Sequence, residues 1–186
     1  LKAGGMNDRQ KGFVTGKPVN TAMIFNNISG RPMLNFKADD PGDAMIYVSA
    51  HDNLTLADNI AFNSGLMAKY PDERAEIAAR VKLANFFVLT GQGVAFLHAG
   101  DERGRTKPKL SSTTEVTGDY VHNSYDASDD INQFPWTVEP EFAASAEWVK
   151  GLIAIRKANA AFRLGSRNFN PPAAMCGTIK PRLKMM

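Results

Sequence analysis

Apolar residues in this chain fall into a few short clusters separated by long polar stretches, and the spacing inside each cluster predicts its structure. Met45-Ile46-Tyr47-Val48 is a compact β-branched and aromatic run that predicts a short buried strand over about 46–50, ending abruptly at His51-Asp52-Asn53. The turn-rich Asp39-Asp40-Pro41-Gly42-Asp43 precedes it. Apolar residues at 54, 56, 57, 60 and 61 predict a short helix closed by Gly65. Pro71 and Asp72 open the clearest helix, which runs to about Thr90 with Ile77, Val81, Ala84 and Val88 at helical spacing. Val94 to Ala99, flanked by glycines, predicts a second buried strand. A last helix is expected from about Pro140 to Ala161, with Phe142, Val149, Ile153 and Ala160 on one face.

The polar remainder is as informative. Residues 1–43 are rich in Gly, Asn, Asp and Pro, with Phe13-Val14 and Met23-Ile24-Phe25 as their compact apolar clusters; they predict mostly loop, with turns at Asn26-Asn27 and Ser29-Gly30-Arg31-Pro32. Close to forty polar residues, from Gly100 to about Glu139, separate the second strand from the last helix, and loops of that length are usually functional. After Ser166 the chain loses all periodicity, which predicts a loose, irregular tail over 166–186. Strand, helix, strand, long loop, helix is the alternation of an α/β fold with a parallel sheet. Two strands leave an open face and unpaired edges, so this segment is expected to need partners.

Composition changes that picture little. At 186 residues, 44% hydrophobic and 22% charged, the chain reads as globular; the net charge of +3 is scattered and partly gathered in Lys180, Arg182 and Lys184, which argues against nucleic-acid binding. Cys176 is the only cysteine and excludes an internal disulfide or a cysteine-built zinc site. No apolar run approaches the roughly 20 residues that span a bilayer, and Leu1 onward has no signal-peptide pattern. A start at leucine rather than methionine suggests a piece of a longer protein.

Candidate chemistry gathers at strand ends and in the long loop. His51 and Asp52 together can orient a proton transfer, ligate a metal or hydrogen-bond a polyhydroxylated ligand. The competing reading makes Asp52 or Asn53 the N-cap of the helix that follows. His98, inside an apolar run, reads as a core histidine, and Asp101-Glu102 beside Arg103 and Arg105 reads as a carboxylate pair or as a structural salt bridge. In the loop, His122-Asn123-Ser124-Tyr125-Asp126 and Asp129-Asp130-Ile131-Asn132 concentrate the amides, carboxylates and aromatic ring that hold sugars, or form a merely solvated loop. There is no G-x-S-x-G elbow, phosphate-cradling glycine loop or H-E-x-x-H.

Three ordered motifs, Y-V-S-A-H-D-N at 47–53, G-V-A-F-L-H-A-G-D-E-R-G-R-T-K at 93–107 and N-S-Y-D-A-S-D-D-I-N-Q-F-P-W at 123–136, resemble the type I pullulanases. These are alpha-glucan debranching enzymes of the alpha-amylase superfamily, glycoside hydrolase family 13. The resemblance covers roughly residues 10–165, and F-N-N-I at 25–28 with A-D-D-P-G-D at 38–43 is most similar to the streptococcal-type branch. It implies an incomplete TIM (β/α)8 barrel: residues 1–43 lead in from the preceding unit, and 44–165 form the C-terminal part of the catalytic barrel, its last two strand-helix units. Strands seven and eight would be 46–50 and 94–99, helices seven and eight 72–90 and 140–161.

The resemblance also implies retaining hydrolysis of alpha-1,6 branches by a nucleophilic Asp, an acid/base Glu and a third acidic residue that steadies the distorted sugar. Asp52 matches the third acid, with His51 beside it; Asn53, Tyr125, Asp126, Asp130, Arg105 and Lys107 match positions lining the glucan site. No metal ligand set and no required cofactor are implied, although calcium occurs in many relatives. The expected partner is an alpha-glucan together with the missing barrel half, and the expected location of the parent is extracellular or cell-surface. The nucleophile and acid/base motifs are absent, so the chain alone is expected to be inactive. Asp101 stands where relatives usually have Gln, and the tail from Asn168 does not resemble the β-domain that follows in them. Two other classes are a non-catalytic glucan-binding or structural remnant, and an HD-type metal-dependent phosphohydrolase.

Overall fold

The computed structural model describes residues 10–31, 38–111 and 113–166. Its first departure from expectation is early: Thr21–Ile28 is a helix (α1), so Asn26-Asn27 lies inside a helix rather than at a turn. Asn20 caps it, Oδ1 accepting from the Ala22 N–H at 2.8 Å, and the Asn27 amide donates back to the Met23 carbonyl at 2.9 Å. Asparagines that read as loop markers thus serve as cap and helix-surface donors. Pro41–Asp43 forms a single 3-10 turn before the first strand.

The strand Met45–Ile46 (β1) pairs in parallel with Val94–Ala95 (β2), Met45 opposite Val94 and Ile46 opposite Ala95. The Val94 N–H donates to the Ala44 carbonyl at 2.8 Å and Phe96 N–H to Ile46 at 3.0 Å. The ladder is shorter than either predicted run because each strand is held from one side only among the described residues. On one face Ile46, Val48, Ala95 and Leu97 pack against the helices Leu56–Ser64 (α2) and Pro71–Thr90 (α3), where Leu56, Ile60, Ile77, Val81, Ala84 and Val88 are buried. Phe13 and Val14 join this core, the Phe13 ring meeting Phe87 edge-on at 5.6 Å. The opposite face is bare: Met45, Tyr47, Val94 and Phe96 are exposed, with the Tyr47 and Phe96 rings 6.1 Å apart.

The last helix, Pro140–Ala158 (α5), lies against α3 and buries Phe142, Ser145, Val149, Leu152 and Arg156. Ile153, expected on that face, is among the exposed residues, and Ala160 falls in a 3-10 turn beyond the helix. Arg156 holds the face's last position because its guanidinium closes the end of α3: Nη1 donates to the carbonyls of Leu89 (3.0 Å) and Gly91 (2.7 Å), Nη2 to that of Gly93 (2.6 Å). The residues from 100 to 139 are not mere loop. They contain a 3-10 turn at Asp101–Arg103, an antiparallel hairpin of Val116–Thr117 (β3) and Tyr120–Val121 (β4) turned at Gly118, and the short helix Asp129–Asn132 (α4). The expected irregular tail lies, apart from residue 166, outside the described residues.

Gly93 sets the approach of β2 to β1. Its φ is +104°, and a Cβ there would overlap the Ala44 carbonyl oxygen and stand 2.9 Å from that of Pro41. Gly93→Ala is expected to lower unfolding free energy by about 2 kcal/mol. Gly151→Ala, inside α5 with nothing within 4 Å of the added carbon, should raise it by about 0.5–1 kcal/mol; denaturant titration of the two variants compares them directly.

Candidate functional site

The site starts where β1 runs out. Val48 and Ser49 are buried, the Ser49 hydroxyl donating to the carboxylate of the equally buried Asp101. The second oxygen of Asp101 accepts from the Leu56 N–H at 3.4 Å, so this carboxylate joins the end of β1, the start of α2 and the loop after β2. The N-cap of α2 is Thr55, whose hydroxyl accepts from the Asp58 N–H at 3.2 Å. Neither Asp52 nor Asn53 is therefore the cap. His51 and Asp52 project outward, their side chains 84% and 81% exposed, with Nε2 3.6 Å from Oδ1. Asn53 turns the chain between them and α2 in the left-handed region, φ +62°.

Across from this corner the loop contributes Lys107, whose ammonium donates to the Asn53 carbonyl and, at 3.3 Å, to the Ser124 hydroxyl. Arg105 donates from Nη1 to the Ala99 carbonyl (3.1 Å) and to His98 Nε2 (3.2 Å), and from Nη2 to the Asn132 carbonyl (2.5 Å). A guanidinium only donates, so Nε2 of His98 accepts and its proton sits on Nδ1, which lies 3.9 Å from Asp101. His98 is thus mostly buried, as a core histidine would be, yet it also lines the site. Together His51, Asp52, His98, Arg105, Lys107 and Tyr125 surround a cleft of about 260 Å³, completed by Asn123, Ser124 and Asn132. Tyr125 is 98% exposed at its mouth.

Asp126 and Asp130 are not brought to this cleft. The Asn132 amide pins a tight turn by donating to the carbonyls of Ser124 (2.8 Å) and Ala127 (3.1 Å), and the chain then enters α4. Asp126 consequently borders a separate hollow with Thr113, Glu115 and Ser128, and Asp130 a cavity of about 500 Å³ with Asp58, Arg103, Tyr120, Phe134 and Trp136. His122 stays within the hairpin, between the Thr117 hydroxyl (3.1 Å) and Glu115 (3.4 Å). The expected ion pairs of Asp101-Glu102 with the arginines give way to carbonyl contacts: Arg103 donates to Pro135 (2.8 Å) and Trp136 (2.7 Å). Those carbonyls would otherwise be unpaired where the loop folds back.

Sequence reasoning passed over Asp58, although a carboxylate between Ala57 and Ile60 was a signal, since charge in an apolar run needs a partner. Its oxygens accept from the Thr106 hydroxyl (2.5 Å) and the Lys107 N–H (2.8 Å). Burial pushes its carboxyl up to about 6, against the pull of those bonds and of the Lys107 charge. Among the described residues no group of three or more His, Cys, Asp or Glu side chains is placed to hold a metal ion. The described helices include none long and apolar enough to cross a membrane.

No family model matches the chain. Pullulanase A of Streptococcus pneumoniae serotype 2 (strain D39 / NCTC 7466) is 38% identical to it over 195 residues, covering 89% of this chain and 15% of that protein. This chain belongs to the pullulanase family. The pullulanase of Bacillus subtilis (strain 168) is 32% identical over 175 residues, covering 92% of this chain and 22% of its own length. Among solved pullulanase structures, the catalytic module of the multi-modular glycogen-degrading pneumococcal virulence factor SpuA, in complex with an inhibitor, superposes with a TM-score of 0.81 at 38% identity, over 90% of this chain and 28% of that one. Group B Streptococcus pullulanase SAP in complex with maltotetraose gives 0.78 at 36% identity, over 89% and 24%. The chain therefore spans a minor part of every pullulanase named here.

Proposed function

We propose that this chain is the C-terminal part of the catalytic barrel of a debranching glycoside hydrolase that cleaves alpha-1,6 branches in pullulan, amylopectin, glycogen or limit dextrins with retention of configuration. The observation that carries the reading is the His51-Asp52 pair, released from helix capping by Thr55 and standing exposed at the border of a cleft with Tyr125 and two amides. Relatives described as glycogen-degrading or bound to maltotetraose support an alpha-glucan as the ligand. In this assignment β1 and β2 are the seventh and eighth barrel strands, α3 and α5 their helices, and α2 a helix of the seventh loop. Strand ends and the loops after them then form the catalytic face. The bare apolar face of Met45, Tyr47, Val94 and Phe96 fits the missing barrel half as its cover.

Within that frame Asp52 is the third carboxylate. As the glycosidic bond breaks, positive charge spreads over C1 and the ring oxygen, and the sugar hydroxyls become better donors. A carboxylate hydrogen-bonded to them binds the transition state more tightly than the ground state. His51 adds a second hydrogen bond, Tyr125 an aromatic wall and Asn53 the turn that aims the pair. Arg105 and Lys107, whose donors reach protein acceptors, hold the loop that carries Asn123 and Ser124. Asp126 and Asp130 would touch only the outer parts of a branched chain. The nucleophile and acid/base come from outside this chain, no cofactor takes part, and the parent is secreted or displayed on the cell surface.

Grafting tests the reading. These 186 residues alone should release no reducing sugar from pullulan, whereas a chimera carrying this chain in place of the matched segment of the pneumococcal pullulanase A should hydrolyse it. A folded chimera that retains maltotetraose binding but cleaves no alpha-1,6 bond would overturn the assignment, and so would hydrolysis by the lone chain.

A further inference from the structure

The cleft's geometry depends on a residue that does not line it. Asp58 is buried in α2 and borders the neighbouring cavity of about 500 Å³. Its two oxygens take the Thr106 hydroxyl at 2.5 Å and the Lys107 N–H at 2.8 Å, and its own N–H donates to Thr55. From that anchored backbone the Lys107 side chain runs to the other end of the same turn, where its ammonium meets the Asn53 carbonyl, and on to Ser124. Asn53, α2, Asp58 and Lys107 therefore form a closed ring, with the left-handed turn behind His51 and Asp52 as one of its links.

We propose that Asp58 is the positioning residue of the His51-Asp52 corner, holding the Thr106-Lys107 step against α2 so that Lys107 fixes the Asn53 turn and hence where the pair stands. The inference rests on the glucan-site reading for its purpose, but not for its physics. The Asp58 carboxylate takes the Lys107 N–H in this buried place, so losing Asp58 frees the loop to move its lysine. Lys107 from the loop and Tyr120 from β4 face the carboxylate; Arg74 of α3, Arg103, Asp130 and Glu139 border the same cavity. The raised pKa makes the bond pattern titratable in a convenient range.

The test is ligand-free, so its outcome is separate from that of the grafting experiment. In the ligand-free chimeric enzyme, isotope-labelled over this chain, the amide resonances of Lys107 and Asn53 and the ring resonances of His51 are followed from about pH 4.5 to about pH 8. The Lys107 and Asn53 amides should share an inflection near pH 6 that is absent in Asp58→Asn. In Asp58→Leu, near-isosteric but without an acceptor, hydrogen exchange at the Lys107 amide should rise by about tenfold or more, with Val81 and Val88 in α3 unchanged and the His51 ring signals displaced. Glutamate at 58, too long for the same bonds, should not restore the wild-type signals. Lys107 amide exchange unchanged in Asp58→Leu would overturn the proposal. So would an inflection that persists in Asp58→Asn, or a variant in which the Asn53 and His51 signals stay where they were.

Discussion

Asp52→Asn in the chimeric enzyme is expected to lower kcat on pullulan by about two to three orders of magnitude, some 2.7–4 kcal/mol of transition-state stabilisation, with KM changed by less than about threefold. The substitution keeps the shape and removes the charge. What it takes away is an interaction that grows as the ring becomes cationic, so the loss should appear in kcat. The controls come from geometry: Asp126 and Asp130 lie in separate hollows, and their Asn variants should each lose less than about tenfold. A raised KM with unchanged kcat for Asp52→Asn would make the residue a ground-state binder and remove it from the role of third acid.

The largest expected effect on stability is at Arg156. Arg156→Met keeps an aliphatic stem on the buried face of α5 but removes every donor, leaving the carbonyls of Leu89, Gly91 and Gly93 without the guanidinium that gathers them. An orphaned buried acceptor costs about 1–3 kcal/mol, and the turn can re-form some contacts with water, so the expected loss is about 3 kcal/mol. For a chain of this size that is a fall in Tm of roughly 6–12 °C. Arg156→Lys should recover only part of it, because one ammonium cannot span three carbonyls as a planar fork does. A Tm within about 1 °C of wild type would mean that these bonds exchange with water at no cost.

What could be read from the residues was whatever burial writes as a local period. Ile77, Val81, Ala84 and Val88 face the core as their spacing required, and Gly65 closes α2 with φ +72°. Arg156 defeats the same rule: its place on the inner face depends on carbonyls more than sixty residues earlier, and only apolar residues were sought there. Thr55 against Asp52 and Asn53 was a choice among adjacent cap formers, decided by where the strand lets the chain turn. Asp126 and Asp130 were matched to the glucan site by the resemblance of their motif, and in a polar loop no period fixes a face; the turn pinned by Asn132 sets them beside other hollows. Asn20 and Asn27 were read as loop and proved to support a helix.

The two-stranded sheet has a consequence for how such a site could be assembled. Its helix side is closed by Val48, Ile46 and Leu97, while Met45, Tyr47, Val94 and Phe96 wait on the other. Any polypeptide that covers those four stabilises only the folded form, so the apparent stability of the His51-Asp52 corner rises with that polypeptide's concentration, by mass action. Under the proposed function, that gain needs no covalent link, so a polypeptide supplied in trans should stabilise the corner as well.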